Sequence, residues 1–152
     1  MKQVLISLTL FALGAVGLNA DTPGRHPAYL HARTDLRTSQ FFMRVREEPN
    51  VTRNLRTADR EVDAAIREID RAAVLDRKDL DDRPHIDTSL DRRGRFEKIV
   101  ALLRSARADL AREEDNGRAS GWRDAAYRHI DAALESMHRA AVDQHWDHAF
   151  GW

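Results

Sequence analysis

The sequence contains no cysteine. This excludes a disulfide scaffold, a covalently attached c-type haem, a thiolate zinc site and a lipid-modified cysteine behind a leader. Only 7 glycines and 4 prolines occur in 152 residues, and they fall between periodic segments rather than inside them, so long uninterrupted helices are permitted. No stretch alternates apolar and polar residues in the manner of a strand. Charge of one sign is also lacking, with 25 basic and 25 acidic residues. A balanced chain sets up no strong field toward nucleic acid or an acidic bilayer, and no nucleic-acid partner is expected.

One long apolar run is present, at the very start. Lys2 precedes the stretch Val4 to Leu18, and the small residue Ala20 follows just before the first acid, Asp21. A basic start, a short apolar centre and a small residue at the end describe a secretory signal peptide over residues 1–20, cut after Ala20. The run falls short of the roughly 20 residues of a membrane span. The expected product is a periplasmic or secreted protein, residues 21–152, with no integral membrane segment. At about 130 residues it is long enough for one hydrophobic core and short for two.

Past the leader, apolar residues recur at helical spacing. Tyr29, Leu36 and Met43 stand seven apart in a segment that opens at Pro27 and closes before Pro49. Leu55, Val62 and Ile69 do the same in a second segment beginning near Asn54, with alanines on the same face. Phe96, Ile99, Val100, Leu103, Ala106 and Leu110 mark a third, which Thr88 or Ser89 can cap and which stops at Asn116-Gly117. Trp122, Ala126, Ile130, Ala133, Met137 and Ala140 mark a fourth. The fold class expected is all-α, an antiparallel up-down-up-down four-helix bundle with short links, its many inward alanines allowing close helix approach.

That topology would gather chemistry at one end. It places the start of the first helix (His26, His31), the link after the second (Asp79, Asp81, Asp82, His85, Asp87) and the end of the fourth (His138, His145, His148) together. Histidines and carboxylates converging from distant segments are a ligand set for zinc, nickel or copper(II). The competing reading is a solvated link whose carboxylates are neutralised by Arg77, Lys78 and Arg83. An EF-hand fails, because counting from Asp79 the fifth, sixth and twelfth positions are Arg83, Pro84 and Leu90. A di-iron bundle needs two Glu-x-x-His units, and only Glu135 to His138 supplies one. Haem held by a methionine and a histidine would have to use Met43 with His129 or His138, and methionines at helical spacing are usually core filler. No serine lies in a Gly-x-Ser-x-Gly elbow, and no glycine-rich phosphate loop occurs. Trp146, Phe150 and Trp152 form an aromatic C-terminal tail with two readings. It either folds back over the bundle end or offers a contact surface to another periplasmic protein.

The phrases "HPAYLHARTDLR" from His26, "DRKDLDDRPHID" from Asp76 and "REEDNGRASGWRDAAYRHIDAALE" from Arg112 come in this order. In combination they resemble a family of small, uncharacterised exported bacterial helical proteins, across nearly the whole chain after the leader. The resemblance implies a four-helix bundle and an exported location, and it carries no activity. This chain departs from it in the link, which reads Asp82-Arg83-Pro84-His85 where those proteins have Asp-His-Pro. The function expected is therefore non-enzymatic binding or interaction, with a divalent transition-metal binder as the alternative.

Overall fold

The computed structural model describes residues 27–75, 86–112, 120–146 and 148–152. The described residues contain four helices: α1 (Pro27–Met43), α2 (Pro49–Leu75), α3 (Arg92–Arg112) and α4 (Ser120–Val142). Each lies where the periodicity predicts, with shifts at the ends. Helix α2 begins at Pro49 rather than near Asn54, because a proline is tolerated in a first turn whose N–H groups have no partner within the helix. The Thr52 hydroxyl secures this turn, accepting from the Glu47 N–H at 3.0 Å and donating to the Glu47 carbonyl at 2.8 Å. The cap of α3 is Asp91 rather than Thr88 or Ser89. Its Oδ1 accepts from the Gly94 N–H at 2.7 Å, the third helical donor. A Cβ on Gly94 would stand 2.9 Å from that same oxygen, so the glycine lets the Asp91 side chain sit where it does without shifting.

The predicted seven-residue rows are the core. Tyr29, Leu36 and Met43, then Leu55, Val62 and Ile69, then Phe96, Ile99, Leu103 and Leu110, and finally Ile130 and Met137 are all buried. Two further rows are alanine. Ala58, Ala65 and Ala72 on α2, and Ala126, Ala133 and Ala140 on α4, are buried at seven-residue spacing. Short side chains let helix axes approach closely, and α2 with α4 is the most extensively packed pair in the bundle.

The protein is an all-α four-helix bundle, but the order of its helices is not up-down-up-down. Arg33 Nε meets Asp70 Oδ1 at 2.6 Å and Gln40 Nε2 meets the Asp59 carbonyl at 3.4 Å, so α1 and α2 are antiparallel. Asn54 donates to Asp143 at 2.9 Å and His129 meets Glu61 at 2.8 Å, so α2 and α4 are antiparallel. Arg95 meets Glu47 at 2.7 Å, just past the end of α1, while Ser105 bonds Asp35 nearer its middle, so α1 and α3 are antiparallel too. Helices α1 and α4 therefore run one way, and α2 and α3 the other. Among the described residues α2 and α3 sit diagonally, and the close of α2 and the opening of α3 lie at opposite ends of the bundle. The close of that link is tied down, since Ile86 and Leu90 pack against the core.

The pairing that sets this order is a buried acid between two arginines. Glu47, with its side chain 9% exposed, sits 2.7 Å from Arg95 Nη2 and 2.7 Å from Arg92 Nε. Arg95 also donates to the Leu90 carbonyl at 3.2 Å, and Arg92 pairs with Glu48. The Arg92 Nε approach lies off the hydrogen-bond axis, so Arg92 acts there mainly as a charge, while Arg95 makes the directed bond. Removing the Glu47 charge leaves two partly buried guanidinium groups facing each other, with only Glu48 and the Leu90 carbonyl as polar partners among the described residues. Glu47→Gln is expected to cost about 2 kcal/mol in urea unfolding, against less than about 0.5 kcal/mol for Glu97→Gln in the exposed Arg93–Glu97 pair. Equal effects of the two substitutions would show that Glu47 does not anchor α3.

Candidate functional site

Of the histidines proposed as metal ligands, His31, His138 and His145 lie among the described residues and are not brought together. His31 lies in the first half of α1, at the end where Arg33 meets Asp70 near the close of α2. His138 and His145 lie on and beyond α4, whose close meets the opening of α2 through Asn54–Asp143 and Gln144–Glu48. The two groups occupy opposite ends of the bundle because α4 runs parallel to α1. His26, Asp79, Asp81, Asp82 and His85 lie outside the described residues. Among the described residues no three His, Asp or Glu side chains form a metal-ligating group.

Three of the described histidines, His129, His138 and His145, have a local role instead. His129 pairs with Glu61 across the α2–α4 contact. His138 stacks on Trp152 with centroids 4.9 Å apart. His145 ends α4 in the left-handed backbone region, φ 57°. Its N–H bonds the Val142 carbonyl at 2.9 Å, and the next N–H, of Trp146, reaches back to the Ala141 carbonyl at 2.8 Å. This is the Schellman termination, with histidine where glycine is usual.

The turn at His145 sends the tail back along the groove between α3 and α4, the least closely packed of the neighbouring pairs. Trp146 packs edge-on against Phe96 at 5.3 Å, under the Arg92 guanidinium. Phe150 is 7% exposed, and Trp152 lies under Arg104, which also donates to the Gly151 carbonyl at 3.0 Å. The fold-back reading is the one observed, with two corrections. The tail lies along the side of the bundle at the end away from His31, and Phe150 is core rather than a partner contact. Of the three aromatics only Trp152, at 39%, stays substantially exposed.

Sequence reasoning passed over a carboxyl at the α1–α3 contact. Burial pushes Asp35 above the ordinary carboxylate range. The hydrogen bond from Ser105 opposes the rise, the Asp109 carboxylate adds to it, and Lys98 and His31 offset it in smaller part. Neither of the grooves described below reaches this group, so it acts on stability rather than on a ligand.

The surface feature with room for a ligand is at the α1–α2 turn. A groove of about 830 Å³ opens there, walled by Arg44, Arg46, Arg53, Arg56 and Arg60. Two acids share it. Asp59 is paired with Arg44 at 3.4 Å, and Glu47 is already held by Arg92 and Arg95. Among the described residues, the side chains of Arg46, Arg53 and Arg56 have no hydrogen-bond or ion-pair partner. Elsewhere on the bundle Arg67, Arg71, Arg93, Arg107 and Arg139 are each paired with a carboxylate. A second groove of about 600 Å³ shares Arg44 and Val45 as a wall and is lined by Arg37, Gln40, Phe41 and Ile86. The arrangement can hold an oxyanion, since guanidinium forks present paired donors to phosphate or carboxylate. The signal was present in the sequence as Arg44, Arg46, Arg53, Arg56 and Arg60, but arginine is so common in this chain that only the turn between α1 and α2 singles these out.

No family model, no curated protein and no solved structure matches the chain. The reading of the site therefore stands on its geometry.

Two outcomes follow for the residues just described. Glycine at a left-handed position removes the Cβ strain, so His145→Gly should raise stability by about 0.5–1 kcal/mol. A loss on that substitution would mean the imidazole makes a contact worth more than the strain. For Asp35 the folded-state pKa lies above the unfolded one, so the folded state holds the proton more tightly. Its stability contribution is then lost as pH rises from about 4 through the folded-state value, and is level above it. Asp35→Asn, which keeps an acceptor for Ser105, should melt higher than the parent near pH 7, with the gap closing below about pH 4. A gap independent of pH in thermal melts would remove burial of this charge as the cause.

Proposed function

We propose that this chain is an exported, non-enzymatic binding protein whose ligand face is the arginine-walled groove at the α1–α2 turn, and that the ligand is anionic. The observation that carries the reading is the set of three arginines, Arg46, Arg53 and Arg56, without partners among the described residues around a groove of about 830 Å³. A solvated arginine that serves only solubility is usually interspersed with acids, as Arg67, Arg71, Arg93, Arg107 and Arg139 are elsewhere on the bundle. At the turn the acids are already engaged, leaving an excess of fixed positive charge beside an open space. The leader-like residues 1–20 support export, and the absence of a catalytic motif in the sequence supports binding rather than turnover.

The alternative, a zinc, nickel or copper(II) binder, is left to His26, Asp79, Asp81, Asp82 and His85, outside the described residues, once His31 is separated from His138 and His145. Contact with another periplasmic protein through the tail now rests mainly on Trp152, since Phe150 is buried.

Calorimetric titration with tripolyphosphate, a compact polyanion, tests the groove. Binding should weaken at least tenfold when Arg53→Glu and Arg56→Glu are combined, and should weaken as salt is raised from about 0.02 M to about 0.2 M. Unchanged affinity in the double variant would move the anion site elsewhere.

A further inference from the structure

Next to the unpaired arginines stand apolar side chains that a small soluble anion cannot use. Phe41 is 44% exposed and Val45 37%, both facing solvent at the close of α1. Phe41 sits edge-on to its neighbour Phe42, with centroids 5.6 Å apart, while Phe42 itself is buried. The two grooves share Arg44 and Val45, so Phe41, Val45 and Ile86 form an apolar strip that continues directly into the arginine wall. Apolar side chains flanked by cations on one face are what an anionic bilayer surface takes. The rings and methyls enter the acyl boundary while the cations meet the phosphate headgroups. Arginine suits this better than lysine, because its planar fork bonds a phosphodiester in bidentate fashion. Among the described residues no helix is long and apolar enough to cross a membrane, so the attachment would be peripheral.

Resting on the anion-binding reading above, we propose that the occupant of this face is an anionic phospholipid bilayer. Phe41 and Val45 enter its surface, and Arg46, Arg53 and Arg56 meet its phosphates. Free phosphates share the headgroup chemistry but make no use of Phe41 or Val45. The apolar strip therefore decides between the two sources.

The test uses the protein purified from the exported fraction, its N-terminus read by mass spectrometry, and sedimented with vesicles. Vesicles of phosphatidylcholine mixed with phosphatidylglycerol should capture it, and pure phosphatidylcholine vesicles should not. Each arginine at an anionic surface contributes roughly fivefold to partitioning, so Arg46→Gln, Arg53→Gln and Arg56→Gln combined should weaken capture about a hundredfold. Phe41→Ser should weaken it about fivefold without altering tripolyphosphate affinity. Circular dichroism of each variant confirms that the bundle is folded. Equal capture by both vesicle types, or undiminished capture of the triple variant, overturns the proposal, as does an effect of Phe41→Ser on tripolyphosphate equal to its effect on vesicles. Tripolyphosphate binding without vesicle capture removes the bilayer and leaves the anion groove. Loss of both removes the groove as well.

Discussion

The bundle depends on one constraint, the fixing of the α3 opening against the α1–α2 turn by Glu47 with Arg92 and Arg95. Hydrophobic burial holds four amphipathic helices together in any order, because each apolar face is satisfied by any other. Charges near the helix ends distinguish the orders. A buried carboxylate between two guanidinium groups is tolerable when all three are present and costly when any one is left alone. With α3 running the opposite way, Glu47 would lose both arginines together, and the Glu48 contact to Arg92 would go with them. The charge set thus selects one topology among packings that the core alone would find nearly equivalent.

From that selection the rest follows. Because α3 begins beside the α1–α2 turn, α4 must return to the same end, where Asn54 and Glu48 meet Asp143 and Gln144. The tail then leaves α4 next to Phe96 and Arg92. It can double back along the α3–α4 groove only because the backbone at His145 turns left-handed. The Arg92 guanidinium touches both systems, paired with Glu47 on one side and lying over Trp146 on the other. A single side chain couples the topological lock to the aromatic strap.

This also explains what the sequence could and could not reveal. The seven-residue rows from Tyr29, Leu55 and Ile130 were legible because burial imposes its period directly on the chain. The alanine rows foretold close packing, realised between α2 and α4. Periodicity states which face of a helix is buried and is silent on which end points up. The expected gathering of His31 with His138 and His145 rested wholly on that silent choice, and it failed there. Asp91 as the α3 cap was missed in favour of two residues equally competent by type, a difference settled by where the link releases the chain. Asp35 gave no signal, since an aspartate on a helix acquires its raised pKa only from burial against α3, to which the Asp109 carboxylate adds.

The arginine groove belongs to a third category, visible in composition but not distinguishable by it. The chain holds 25 bases against 25 acids, so an overall charge count predicts no field at all. The field arises because pairing is uneven. On the exposed faces of α2, α3 and α4, acids three or four residues from arginines cancel them locally, as in Arg67–Asp63 and Arg139–Glu135. At the α1–α2 turn Glu47 and Glu48 are drawn toward α3 by Arg92 and Arg95. Arg46 and Arg53 are thereby deprived of the acids nearest to them in sequence, while Asp59, the acid nearest Arg56, is taken by Arg44. The lock that sets the fold is thus one cause of the unbalanced charge, and the Arg44–Asp59 pair is the other. A neutral protein gains a cationic face by committing its local acids to topology.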